Sequence, residues 1–246
     1  MSALLPYRAT GPGPLWAWTP DQLGASLLAW WDAERSDLIT QSGGAVSSWK
    51  DIVGGYDLVQ ATGASKPTWN ATSFGGRAGV SYDGTDDELS ATVPASFPIN
   101  ADGSEIHLAV DQVLASGTAG SLRIFAYGGV GTASSRAVQR SVSGSTNRAS
   151  VVTATTSLGP VVDFSGRHVV RGMFRPTDQQ CDVDGVAGSP GAISLATASV
   201  VRMRMGATTA NTPVSFFAGV VSAAIVTAPL TDPQADLLRA YLTRRL

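Results

Sequence analysis

The sequence predicts an all-β sandwich closed by one C-terminal helix. Three observations carry this. Short apolar or alternating segments recur at close spacing along the 246 residues. Clusters of Gly, Asp, Ser, Thr and Pro punctuate them. Only one long stretch, at the C-terminal end, repeats its apolar residues with helical period. Composition agrees: 43% of residues are hydrophobic and only 15% charged, against about 25% charged in an ordinary domain. Gly, Ser, Thr and Ala make up the difference, as many strands joined by tight turns require. A chain of this size buries a core without staples, and no repeat or linker divides it. The expected organisation is an arm over residues 1–18 and one domain over 19–246.

In the arm, Pro6, Gly11, Pro12, Gly13 and Pro14 forbid regular structure. Tyr7, Trp16 and Trp18 give it an aromatic content that a free linker does not need. It is therefore expected to pack on its own domain or on an assembly partner. A short helix follows, with Thr19 as N-cap, Pro20 in the first position, Gln22 placed for a capping box and Gly24 as its end. About twelve strands come next. Among them Leu27–Asp32 is an apolar run and Ala45–Trp49 alternates. Ala78–Tyr82 ends in the Asp83-Gly84 turn, and Glu88–Val93 follows it. Ile106–Leu114, Leu122–Tyr127, Arg136–Ser141 and Ala149–Thr155 succeed one another. His168–Phe174 and Gln180–Val183 read as a hairpin pair, the second leading into a tight turn at Asp184-Gly185. After Val200–Gly206, the long apolar segment Phe216–Val226 is expected to be a central strand buried on both faces. Thr231 and Gln234 then open the closing helix over about Asp232 to Arg245, in which the apolar set Ala235, Leu237, Leu238, Tyr241 and Leu242 follows helical period.

Charge and composition exclude several function classes. The formal net charge is -2 and no basic run exists, so a nucleic-acid footprint is not expected. Arg244 and Arg245 form the one basic cluster, expected to complement the dipole of the last helix. The single cysteine, Cys181, permits no intrachain disulfide and no cysteine-rich metal site. No apolar stretch approaches the roughly 20 residues of a membrane span. Residues 1–6 lack the charged and apolar regions of a signal peptide, so synthesis in a bacterial cytoplasm without Sec export is expected.

Several segments together resemble the concanavalin A-like, or laminin G-like, jelly-roll superfamily. They are Leu28-Ala29-Trp30-Trp31-Asp32-Ala33, Val46-Ser47-Ser48-Trp49-Lys50-Asp51, Lys66-Pro67-Thr68-Trp69 and the hairpin Gly79-Val80-Ser81-Tyr82-Asp83-Gly84-Thr85-Asp86-Asp87-Glu88-Leu89. Later come Cys181-Asp182-Val183-Asp184-Gly185 and Phe217-Ala218-Gly219-Val220-Val221-Ser222-Ala223-Ala224-Ile225-Val226. The last strand departs from the pattern by carrying Ala223-Ala224 where relatives often have an acid. The N-terminal block is similar to domains in virion proteins of tailed phages and gene transfer agents. That resemblance implies a fibre or spike protein on the particle surface that binds host surface or capsular polysaccharide, works among other virion proteins and forms a homo-oligomer. A purely structural fibre or capsid-decoration role, anchored by the arm, is the alternative.

An enzyme is not expected. Glycoside hydrolases on this fold set acids on alternate residues of one strand, in a Glu-x-Asp-x-Glu arrangement. The three glutamates, Glu34, Glu88 and Glu105, form no such motif. Asp83, Asp86 and Asp87 crowd one turn and are candidate calcium ligands, although a turn stabilised by its own side chains explains them equally. No other cofactor is expected. Sugars are held by an aromatic face and by amide, carboxylate and guanidinium groups. The candidates are Trp69, Asn70, Tyr56 and Tyr127, with Arg123, Arg136 and Arg148. Trp69-Asn70 and Tyr56-Asp57 are read as loops, where binding residues concentrate. Trp30, Trp31 and Trp49 are read as core. The stretch Gly128–Arg148, with Arg136, Arg140 and Arg148, is read as a solvated pair of strands, the alternative being an exposed concave-face or rim segment that reads an anionic polysaccharide.

Overall fold

A computed structural model describes residues 17–94, 97, 103–112, 120–129, 135–143, 146–153, 155–161, 163–193 and 202–246. Tyr7 and Trp16 lie outside them. In chain order the strands are β1 Leu27–Asp32, β2 Ile39–Ser42, β3 Ala45–Trp49, β4 Leu58–Val59, β5 Thr68–Phe74 and β6 Arg77–Asp83. Then come β7 Leu89–Thr92, β8 Ser104–Gln112, β9 Leu122–Gly128, β10 Ser135–Ser143, β11 Thr146–Val152 and β12 Thr156–Leu158. The last six are β13 Gly166–Phe174, β14 Asp178–Val183, β15 Val186–Ala187, β16 Gly191–Ala192, β17 Arg202–Met205 and β18 Ala218–Thr227. One helix, α1 Asp232–Thr243, closes the chain. The architecture is an all-β sandwich with a short C-terminal helix.

Pairing defines two antiparallel sheets. In the first, β18 takes β1 and β6 end to end along one edge and β8 along the other. β8 continues to β13 and β14. In the second, β2, β3, β4, β7, β17, β9, β10, β11 and β12 follow in that order. A single pairing, Ala45 with Thr68, joins the sheets through β3 and β5.

The expected central strand is β18, all ten of whose residues are buried. A register shift between Val221 and Ala223 lets it serve two layers. Val221, Ala224 and Val226 face the core between the sheets, with Trp31, Trp49, Leu108 and Phe125. Val220, Ala223 and Ile225 face outward, where Leu238 and Leu242 of α1 cover them together with Trp30. The paired tryptophans thus divide their work. Trp31 packs against Phe125 at 5.6 Å, and Trp30 meets Tyr241 edge-on at 6.0 Å.

The helix is clasped by the Trp-Asp motif. Arg245 donates to both oxygens of the buried Asp32, at 2.9 and 2.7 Å. The Tyr241 hydroxyl donates to the same carboxylate at 3.0 Å. This corrects the expectation for the basic pair: Arg245 is an ion-pair partner enclosed by the fold, while Arg244 donates to the Trp18 carbonyl at 2.9 Å. Trp18 packs edge-on against Tyr241, so the described end of the arm lies on its own domain. The capping box of α1 forms, with the Thr231 N–H donating to Gln234 Oε1 at 3.1 Å.

The first helix differs from expectation. Pro20–Ser26 is a 3-10 segment broken at Gly24, whose φ is 56°. No capping box forms, because Thr19 donates to Asp21 and Gln22 to the Ala17 carbonyl. The sequence reading also placed Trp69 and Asn70 in a loop, whereas they lie in β5. β2 and β4 escaped prediction because each is short and takes its place from its neighbour β3. Arg136 and Arg140, expected on exposed strands, are fully buried in β10.

Candidate functional site

The loop between β3 and β4 is wound around one carboxylate. Asp51 Oδ1 accepts from the N–H groups of Trp30 at 2.8 Å and Val53 at 3.1 Å. Its Oδ2 accepts from Gly54 at 2.8 Å and Tyr56 at 3.2 Å. Asp57 closes the loop by accepting from the Asp51 N–H at 3.0 Å. Gly54 is required here, since a Cβ would stand 2.5 Å from the Tyr56 ring and 2.7 Å from the Leu28 carbonyl. One edge of the Tyr56 ring is held T-shaped against Phe97 at 5.2 Å, and Phe97 in turn against Tyr127 at 5.3 Å. The ring is thereby fixed half-buried.

Tyr56 borders a cleft of about 390 Å³ on the outer face of the second sheet. Strand alternation supplies the opposite wall. Leu89, Ala91, Met203 and Met205 enter the core, so Ser90, Thr92, Arg202 and Arg204 point outward into the cleft. Asp57 and Asn211 complete the rim. Arg204 pairs with Glu88 and donates to the carbonyls of Thr208 and Ala210, at 2.5 and 2.7 Å. Arg202 donates to Ala210 O at 3.2 Å. Together they pin the 206–215 loop to the sheet. Burial raises the Glu88 carboxyl above its ordinary value, against the pull of Arg204 and Arg202. An aromatic face, a carboxylate, an amide and a guanidinium around one cleft can bind a ligand that offers C–H faces and hydroxyls.

A second cavity, of about 330 Å³, lies between α1 and the outer face of the first sheet. His107, Arg171, Asp182, Asp232, Asp236 and Arg239 line it. Beneath it Glu105 accepts from Arg171 Nε and Nη2 at 2.9 and 2.8 Å, and contacts His107 Nε2 at 2.9 Å. Burial pushes this carboxyl up, but His107 and Arg171 outweigh it and draw it to about 2. Asp182 is raised by burial, and its Oδ1 is enclosed without a hydrogen-bond partner.

The acidic turn is compact: Asp83, Asp86 and Asp87 bring carboxylate oxygens within 4.8 Å of one another. Asp83 Oδ1 accepts from the N–H groups of Thr85 and Asp86, and Asp87 Oδ2 from that of Asp83 at 2.9 Å. Burial, reinforced by Asp83 and Asp86, raises Asp87 to about 6, against the pull of that N–H bond.

Of the residues singled out in the sequence, only Tyr56 borders the cleft. Tyr127 is enclosed, with its hydroxyl on Ser104. Arg136 stands over its ring at 5.9 Å. Trp69 packs on the core and donates to the Ala33 carbonyl at 3.0 Å. Asn70 accepts from the Thr72 N–H at 2.8 Å, and Arg148 donates to the Gly159 carbonyl. Arg123 lies in β9, opposite Gln139. Asp51, Arg202, Arg204 and Asn211 were missed. The Arg202-Met203-Arg204-Met205 alternation held a signal, since period two puts both arginines on one face.

The class defined by this geometry is an all-β sandwich domain with an aromatic-walled polar cleft on the outer face of one sheet. No protein-family model and no curated protein matches the chain. Solved structures do resemble it. A Trypanosoma rangeli sialidase in complex with the inhibitor DANA gives a TM-score of 0.56 at 11% identity, over 87% of this chain and 32% of that one. The covalent 2,3-difluorosialic acid intermediate of T. rangeli sialidase gives 0.60 at 12%, over 90% and 33%. Domain 4 of AbnA, a GH43 extracellular arabinanase from Geobacillus stearothermophilus, in complex with arabinotriose, gives 0.53 at 13%, over 87% and 98%. The chain thus spans about one third of the length of the sialidases it matches, and nearly all of the arabinanase domain.

These neighbours overturn the expectation that the chain is not an enzyme. That expectation rested on a missing Glu-x-Asp-x-Glu strand, which tests one hydrolase arrangement only. Solved structures that share this architecture include a sialidase and a domain of a glycoside hydrolase, so the missing motif does not exclude an enzyme.

Proposed function

We propose that the chain is a carbohydrate-binding sandwich domain that holds polysaccharide in the cleft beside Tyr56. The observation that carries this reading is the Tyr56 ring, fixed by Phe97, at the border of a cleft of about 390 Å³ that Arg202, Asn211 and Asp57 also line. An aromatic ring covers sugar C–H groups, and the polar rim satisfies hydroxyls. Four N–H bonds to Asp51 hold the loop before any ligand arrives, which lowers the ordering cost of binding. The neighbours crystallised with sialic-acid analogues and arabinotriose support a carbohydrate ligand. The finer assignment is a fibre or spike of a phage or gene transfer agent particle that binds host surface polysaccharide, alongside other virion proteins and further copies of itself. It rests on the resemblance of the Trp30-Trp31-Asp32 to Glu88 block. Purified capsular polysaccharides and a glycan array test the binding: the full chain is expected to retain a set of glycans that Tyr56→Ala releases. Equal retention by the variant rejects the cleft. Immunogold labelling of particles tests the location, and unlabelled particles reject it.

A second reading, hydrolysis, is favoured by the cavity beneath α1. Asp182 is held toward its protonated form by burial, as a general acid requires. Asp232 and Asp236 lie across the same cavity. Release of reducing ends from polysaccharide, abolished by Asp182→Asn, would establish it; no release at any pH between 4 and 8 rejects it.

A further inference from the structure

Among the described residues, Arg123 on the second sheet is a cation without a counter-charge. Arg123 projects from β9 opposite Gln139 of β10, and Gln139 lies opposite Ser150 of β11. Facing residues on neighbouring strands share one side of a sheet, so these side chains form one polar row. The row is internally bonded in one direction only. Gln139 Nε2 donates to Ser141 Oγ at 2.8 Å, and Ser141 Oγ meets Ser150 Oγ at 2.7 Å. At the other end, Gln139 Oε1 and Arg123 Nη1 are enclosed and have no hydrogen-bond partner among the described residues. Gln139 is only 2% exposed, whereas Arg123 stays partly open to the surface. Burial alone lowers the Arg123 guanidinium, to about 10, and no carboxylate acts on it.

Arg148 and Arg245 also leave an enclosed Nε without a hydrogen-bond partner among the described residues, but the end of each guanidinium is held. Arg171, Arg204 and Arg245 are each paired with a carboxylate, and the buried Arg140 is held by Asn147 Oδ1. Removing a guanidinium from water without a partner is costly. A planar donor fork of this kind matches a carboxylate or sulfate in bidentate geometry.

We propose that Arg123, with Gln139 beside it, is an anion-receiving subsite that takes the carboxylate or sulfate of an acidic sugar. The open part of the guanidinium would supply the donors to the anion, with the buried Gln139 beneath it. This rests on the reading of the chain as a carbohydrate binder and narrows it to acidic glycans.

The test uses the full chain, with glucuronate, glucose and sodium sulfate as probes. Binding is read by calorimetry and by the shift in melting temperature. Glucuronate is expected to bind at least tenfold more tightly than glucose, and Arg123→Met to remove that preference. Because Arg123 has no partner to lose, the ligand-free melting temperature of Arg123→Met should be equal to or above that of the parent chain. Arg123→Lys should keep part of the preference. Equal binding of glucose and glucuronate by the parent chain overturns the proposal, as does a preference that survives Arg123→Met. A response to sulfate that requires Arg123, with no binding of either sugar, upholds the anion subsite and rejects the carbohydrate reading instead. No response to glucuronate or sulfate overturns the subsite, whatever neutral sugars do.

Discussion

The ion pairs that hold α1 to the first sheet differ from the Arg123–Gln139 row of the second sheet in how they treat buried charge. On the first sheet, beneath α1, two acids are held by ion pairs, Asp32 with Arg245 and Tyr241, and Glu105 with Arg171 and His107, while Asp182 Oδ1 beside them is enclosed and unpaired among the described residues. On the second, Arg123 and Gln139 keep enclosed atoms unpaired, and Tyr56 turns toward an open cleft. A saturated network spends its polar groups on holding elements together. An unsaturated one keeps them for something else. The difference separates the pairs that secure the helix from the polar atoms left unpaired on the second sheet.

The comparison breaks most visibly at Asp32. Asp32→Ala leaves Arg245 enclosed and unpaired, and should cost about 3–5 kcal/mol of unfolding free energy in a denaturant titration. Replacing both partners, as Asp32→Ala with Arg245→Met, should recover much of that loss, because the penalty lies in the orphaned charge. If the double variant is no more stable than the single one, the clasp is not ionic.

Asp51→Ala acts on the second region. It removes a charged acceptor from four N–H groups, with an expected cost of about 2–3 kcal/mol, and it frees Tyr56. Glycan affinity should fall with stability, while Asp51→Asn keeps part of both. Tyr56→Ala should separate the two effects. Loss of stacking is worth about 0.5–1.5 kcal/mol, so affinity should fall by up to about tenfold while α1 stays docked, as near-ultraviolet dichroism of its tryptophan contacts would report.

The smallest effect sharpens the comparison through pH. Glu105 titrates near 2 in the folded chain, below its ordinary value. Its stabilisation is therefore complete above about pH 4.5 and is lost as pH falls through about 2. Asp87 is raised to about 6. Its contribution is present below about pH 4 and is lost as pH rises through 6. Thermal melts of Asp87→Asn should lack this second decline, a change on the order of 1 kcal/mol. An identical pH profile for the variant would remove Asp87 from the account.

Much of the fold was legible because the core strands announce themselves. β18 and β8 are apolar runs, and α1 opens with a capping box that forms as expected. The first helix was misread because Pro20 and Thr19 are as good at starting a 3-10 turn as an α-helix, and Gly24 breaks the segment before a second turn completes. The candidate site was far less legible. Tyr127, Arg123 and Arg136 share a short span of sequence and nearby strands. One is sealed in the core, one is unpaired at the surface edge, and one stacks on the first.

By itself, the sequence determined the class of fold, the central strand, the closing helix and the apolar character of Trp30 and Trp31. Those follow from local period and apolar content, which a chain displays along its length. Only the tertiary structure decided which polar residues meet. Arg245 reaches Asp32 and Arg171 reaches Glu105 across long stretches of chain. Arg123 is left unmatched beside Gln139. Charge pairing depends on register and on sheet-to-sheet placement, and neither is written in the spacing of any one segment.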